Sequence, residues 1–361
     1  MSEKGGKSDT AGRARRGGSK LHGTTVTMAH GGGGKAMQEL IEDVFVSNFD
    51  NPLLNDLEDQ ARLNIAELAA RGDRLAFTTD SYVVHPLFFP GGDIGCLAVN
   101  GTVNDLAMSG AQPLYLSCSV IIEEGLPIDT LRRVAASMQR AAAKAGVAIV
   151  TGDTKVVNRG AADKLFINTA GIGVIPTGID VGASRAQPGD VILVNGSIGD
   201  HGVAILNARG DLALDVSVES DSQALHGLVH AMLAVCPDIR CLRDATRGGL
   251  ATVLNEFAQA SNVCMRIDEA CIPVREEVKG VCAILGLDPL YFANEGKLVA
   301  VVPKADADAV LAAMRAHIAG TDAARIGEVS ASPPASVILR TAFGGERIVD
   351  TLIGEQLPRI C

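Results

Sequence analysis

Tryptophan is absent from these 361 residues, and three Tyr and nine Phe supply every other aromatic ring. Any core must therefore be filled by Ala, Val, Ile and Leu. No apolar run reaches the roughly 20 residues that a membrane-spanning helix needs. The basic start, with Lys4, Lys7, Arg13, Arg15, Arg16 and Lys20, has no apolar stretch behind it, which excludes a secretory signal. Eight Cys in such a chain read as reduced thiols and place the protein in the cytoplasm. No CxxC spacing occurs: Cys236/Cys241 and Cys264/Cys271 stand too far apart for a zinc pair, which leaves core or surface thiols. Positive charge is also in deficit, with a net charge of −10, so the body of the protein is a poor partner for nucleic acid.

What is present is an ordinary globular balance with forty Gly, enough length for two domains, and strands and helices mixed throughout. Residues 1–22 are Gly/Ser-rich and nearly free of apolar side chains, the composition of a disordered basic tail. Met37, Leu40, Ile41, Val44 and Phe45 at helical spacing predict an amphipathic helix. Residues 75–79 read as a strand ending at Asp80, and 96–110 as a buried helix. Asp129 is a candidate N-cap for a helix closed by Gly146, followed by strands at 147–150 and 165–175. Turn signals over 176–190 place the domain junction there, giving an N-terminal domain 23–178 and a C-terminal domain 179–350. Residues 351–361 then form a mobile tail. Beyond the junction come a strand at 191–194 and helices from His201, over 222–235 and over 248–260. The pattern T-x-D-[ST]-x-V-V occurs at Thr78–Val84 and again at Thr151–Val157. It is either a coincidence of two strand ends or a pair of similar corners, each with a carboxylate and a hydroxyl.

Asp59, Asp80, Asp105, Asp153 and Asp244 each lie near the end of an apolar segment. Singly they fit turns. Together they suit Mg²⁺, which takes one or two carboxylates and completes its shell with water and phosphate oxygens. Gly31–Gly34 followed by Lys35 fails the P-loop pattern, because Ala29 and Ala36 stand where Gly and Ser/Thr are required. The run could still present backbone N–H groups to an anion, or serve as a hinge. Thr246-Arg247-Gly248-Gly249 after Asp244 has the same ambiguity. Lys155 beside Asp153 is either a surface ion pair or a charge for phosphates, and Glu295 either a turn carboxylate or a general base. Cys361 follows a stiffening Pro358 and has a neighbouring carboxylate that disfavours the thiolate. It is either incidental or the end of a swinging arm.

Several segments together resemble one family. They are His30–Lys35, Glu58–Leu63, Thr78–Val84, Phe88–Gly95, Asn104-Asp105, Thr151–Val157, Leu242–Leu250, Ala293–Leu298 and the closing Pro358-Arg359-Ile360-Cys361. From about residue 24 onward the chain looks like the HypE family of hydrogenase-maturation carbamoyl dehydratases. That family sits within the aminoimidazole-ribonucleotide-synthetase-like ATP enzymes. The resemblance implies a two-domain α/β and α+β fold whose N-terminal domains close a β-barrel across a homodimer. It implies an ATP-dependent dehydration: the carbamoyltransferase HypF loads a carbamoyl group on Cys361, the enzyme converts it to S-cyanate, and a HypC–HypD complex accepts the cyano group. It also implies roles. Asp59, Asp80, Asp105 and Asp244 would hold Mg²⁺. Gly32, Gly33, Gly34, Asn104, Thr151, Gly152, Asp153 and Thr246 would join Asp80, Asp105 and Asp244 around ATP. Lys155 would stabilise charge and Glu295 would remove protons. Selenophosphate synthetases, related ATP enzymes, carry a reactive Cys or selenocysteine near the N-terminus, whereas the first Cys here is Cys96. A scaffold that only delivers a thiol-bound group is the non-enzymatic alternative.

Overall fold

The computed structural model describes residues 21, 23–210 and 216–352; the basic segment 1–20 and residues 353–361, with Cys361, lie outside them. Two sheets organise the chain. The first comprises β1 (Arg74–Tyr82), β2 (Gln112–Glu123), β3 (Ala148–Val157) and β4 (Leu165–Ile175) in the order β1-β4-β2-β3. It is open, with β1 and β3 as edges, so one chain forms no closed barrel. Helices α1 (Ile94–Met108) and α2 (Ile128–Ala145) cover one face. α1 is buried almost all round, which its run of small and aliphatic residues permits. α2 is amphipathic and ends on Gly146 in the left-handed conformation (φ 67°) that a residue without a Cβ adopts cheaply. Asp129 is not its cap: Pro127 holds that position, and Asp129 sits in the first turn, 2.8 Å from Arg132.

The expected helix after the glycine run is present as a helical stretch over 35–49, with Leu40 and Val44 fully buried. The strand expected over 147–150 instead runs through Val157, because each residue of 151–157 pairs with β2. The repeated T-x-D segments are therefore lengths of opposite edge strands rather than two matching corners.

The second sheet holds β5 (Val191–Val194), β6 (Cys241–Asp244), β7 (Cys264–Asp268), β8 (Leu298–Val302), β9 (Ala324–Ser330), β10 (Ser336–Arg340) and β11 (Glu346–Ile348), ordered β11-β10-β7-β9-β5-β8-β6. β8 is apolar at every position because both of its faces are covered. α3 (Asp200–Arg209) follows β5 and packs with the first core, as does α6 (Glu276–Leu285). α4 (His226–Val235) and α7 (Ala307–Ala316) cover one face of the sheet; α5 (Gly249–Ser261) covers the other and buries Leu250, Val253, Leu254 and Phe257. The C-terminal turn of α1 reaches the second sheet's core through Ala107 and Met108. That contact brings Asp105 to the end of β6.

Candidate active site

Asp80, Asp105, Asp244 and Glu295 line one cleft between the two sheets, with Tyr82, Thr246 and Arg247. Each arrives on a different element. Asp80 is on the inward face of edge strand β1, Asp105 is near the end of α1, Asp244 ends β6, and Glu295 lies in the loop before β8. Thr78 donates a hydrogen bond to Asp105 Oδ2 at 3.1 Å, and Arg247 stands 3.7 Å from Asp80. The cleft volume is ≈ 110 Å³. Crowding of like charge away from water shifts the acids together. Burial and the neighbouring Asp105 and Asp80 push Asp244 up to about 7. Burial, then Asp221 and the three aspartates, holds Glu295 well above the ordinary carboxylate range. Asp105 is raised too, mainly by burial and then by Asp80, against the opposing Thr78 hydrogen bond.

Glu295 is fixed by its backbone. Its N–H donates to Asp221 Oδ1 at 2.9 Å, and its carbonyl accepts from Gln223 N and Asn104 Nδ2, both at 3.4 Å. Asn294, fully buried, donates to Ala245 O at 2.8 Å and accepts from Gly199 N at 2.8 Å, tying this loop to Asp244's strand and to the start of α3. Gly249 makes the tight turn after Asp244 possible. Its φ is +60°, and a Cβ there would meet Leu290 O at 2.6 Å and Phe292 O at 2.5 Å.

The remaining sequence candidates fall elsewhere. Asn104, expected at a nucleotide, spends its amide on backbone: Oδ1 accepts from Leu225 N at 2.7 Å and Nδ2 donates to Gln223 O at 3.0 Å. Asp59, Thr151, Gly152 and Asp153 line a separate groove of ≈ 700 Å³ between β3 and the helical stretch 35–49. Gly31, at the start of the glycine run, approaches Val156 so closely that a Cβ would come within 2.9 Å of its backbone N. Gly32, Gly33 and Gly34 are exposed beyond it, on β3's side of the sheet. Lys155 points to the open face of the sheet and is paired with Asp153 at 2.7 Å, which holds Asp153 below its usual range. Within one chain, then, the candidates form two sets, one at each edge of the first sheet. Cys361 lies outside the described residues.

Sequence reasoning gave no role to Tyr82, Asp221 and Lys297, and took Arg247 only as part of a loop. Lys297 stands 3.4 Å from Asp221, and both side chains are nearly buried. The signal was weak, because Asp221 sits in a Ser-rich stretch and meets Glu295 only through the fold. The helix expected from Ser222 begins at His226 instead, because Ser220–Gln223 are drawn into bonds with His201, Glu295 and Gly296.

Family models for AIR synthase related protein match residues 57–175 (N-terminal domain) and 187–340 (C-terminal domain). The chain is 59% identical over 341 residues to a protein of Rhodobacter capsulatus named carbamoyl dehydratase HypE, covering 94% of this chain and 99% of that one. Among solved structures, hydrogenase maturation protein HypE in complex with ATP superposes with a TM-score of 0.88 at 52% identity, covering 93% of this chain and 100% of that one. A chain of a HypE–HypF complex gives a TM-score of 0.75 at 47% identity, covering 87% and 99%.

Proposed function

The chain belongs to the HypE family of AIR synthase related proteins, and from that membership we propose that it is an ATP-dependent carbamoyl dehydratase acting on its own Cys361. The observation that carries the reading is the cleft itself, a buried glutamate with raised proton affinity facing three aspartates.

An amide oxygen is a poor leaving group. Transfer of the ATP γ-phosphoryl group to the carbamoyl oxygen makes phosphate the leaving group. Expulsion of phosphate with loss of both nitrogen protons leaves sulfur-bound C≡N, so one carbamoyl thioester and one ATP give one S-cyanate, ADP and phosphate. Glu295, held at its backbone on both sides, would take a proton from the nitrogen. Asp80, Asp105 and Asp244 offer hard oxygens, with exposed Arg247 3.7 Å from Asp80 and Arg243 also acting on Asp105 and Asp244. Among the described residues no three His, Cys, Asp or Glu side chains could hold a metal by themselves. That donor set fits Mg²⁺, which would take one or two of these carboxylates and supply charge neutralisation at the phosphates.

The cleft is small for a nucleotide, whereas the Asp59–Asp153 groove has the usual size of a ligand site. The open face of the first sheet exposes Leu75, Phe77 and Ile121, an unpaired apolar surface that a second copy would cover. We read the protein as a homodimer whose first sheets close into a barrel, joining each cleft to glycine-loop, Asp153 and Lys155 groups of the other protomer. HypF would be the carbamoyl donor, a HypC–HypD complex the acceptor, and the nickel–iron hydrogenase centre the destination. The compartment would be the cytoplasm; among the described residues no helix is long and apolar enough to cross a membrane.

Intact-mass spectrometry after incubation with ATP, carbamoyl phosphate and HypF tests the reading. The loaded adduct should lose one water, about 18 Da, in the ATP-dependent step, and C361A should never gain the adduct. A loaded wild-type protein that never loses water would favour a delivery scaffold.

A further inference from the structure

The second domain carries a groove of ≈ 610 Å³ that shares no lining residue with the carboxylate cleft; its apolar lining is Ile272, Val274, Cys282, Leu287, Leu290 and Leu339. Two large apolar side chains next to its lining residues in sequence are exposed. Ile284, beside lining residue Ala283, is 73% exposed, and Phe343, beside lining residue Ala342, is 100% exposed. An uncovered apolar surface of this kind marks a docking site.

The described chain ends at this groove. Arg347 lines it, Val349 N donates to Val337 O at 3.0 Å, and Tyr291 Oη donates to Asp350 O at 2.9 Å, directly after the lining pair Pro289-Leu290. Leu352 is exposed. Nine residues follow, Ile353-Gly354-Glu355-Gln356-Leu357-Pro358-Arg359-Ile360-Cys361. Extended, they span about 30 Å, ample to cross the groove. Their aliphatic residues Ile353, Leu357 and Ile360 match an apolar trough. The carboxylate cleft is the smaller space, ≈ 110 Å³, and offers only Tyr82, Val83 and Leu97 as apolar lining. A tethered segment also acts at millimolar effective concentration, so a contact too weak for a free peptide suffices.

We propose that residues 353–361 park in this groove between turnovers, a resting dock for the carrier arm. The proposal rests on the reading of Cys361 as that arm. Docking there withholds the thiol and its cargo from the cleft until release.

Hydrogen exchange on the full-length protein tests it, beside a truncation after Leu352 and the variant A283R, whose exposed position lets the new side chain fill the groove without disturbing the core. In full-length protein, amides of 278–290 and 337–347 should exchange about tenfold more slowly than in either comparator, the protection given by about nine-tenths docking. Unchanged exchange on truncation overturns the proposal. So does protection that moves to the Asp80–Asp244 cleft, or protection that vanishes on dilution, which would assign the groove to a second copy. Mass measurement of carbamoyl loading at Cys361 on the same samples separates the two claims: a protected groove without loading would sink the carrier reading alone, and loading without protection would sink the dock alone.

Discussion

At Glu295 two roles compete, turn carboxylate and base, and burial favours the second. A turn carboxylate would be solvated, whereas this one is buried with its backbone held on both sides. E295Q keeps the shape and removes the proton acceptor. Turnover of preloaded Cys361 should fall about a hundredfold to ten-thousandfold, the usual worth of general base catalysis. ATP affinity by calorimetry should stay unchanged. Asp244 makes a second prediction. Its folded pKa of about 7 lies above its unfolded value, so the folded state binds the proton more tightly. The stability this gives is complete below the unfolded carboxylate range and is lost as pH rises towards 7. Melting temperature of the ligand-free protein should therefore fall more steeply between pH 5 and 7.5 in wild type than in D244N. Mg²⁺ should restore the wild-type value at the upper end. Equal slopes in the two proteins would refute the shifted acid.

Asn104 shows what elements add to residues. The sequence places it beside Asp105 on a buried helix, which suggests a shared ligand. The structure instead turns it along α1 into the 223–225 segment and Glu295's carbonyl. N104A would leave buried backbone groups unpaired, at a cost of about 1–3 kcal/mol in urea unfolding. It should lower kcat through Glu295 while leaving the KM for ATP within about twofold, a split that a direct nucleotide contact would reverse. The elements themselves were largely legible: hydrophobic spacing located α5 and the helical stretch 35–49, small apolar composition located α1, and Gly146 marked the end of α2. The limits of β3 were not. Its outer half reads Thr-Gly-Asp-Thr-Lys, poor strand composition, and only pairing with β2 holds it extended. The cleft was legible as a set of residue types but not as a place, because α1, β1, β6 and the Glu295 loop meet only through contacts distant in sequence.

The whole molecule explains why the candidates divide into two sets. β1 and β3 are opposite edges of one open sheet, so Asp80 and Lys155 stand three strand spacings apart, about 14 Å across the sheet before their offset along the strands is added. Their side chains also leave the sheet on different faces: Lys155 and Asp153 are exposed, and the intervening Thr154 is buried. No side-chain movement within one chain unites them, whereas a second copy on the exposed Leu75–Phe77–Ile121 face could. F77R should therefore yield a monomer by sedimentation that keeps its fold but loses activity. Mixed dimers give the sharper test. K155A and D244N should each be inactive alone. In a K155A:D244N heterodimer, one site joins both lesions, and the other joins the intact cleft of one chain to the intact Lys155 of its partner. Random mixing makes half the dimers hetero, so about a quarter of wild-type activity should return. Sites built within single protomers would give none, and that outcome would overturn the shared site while leaving the chemistry of Glu295 untouched.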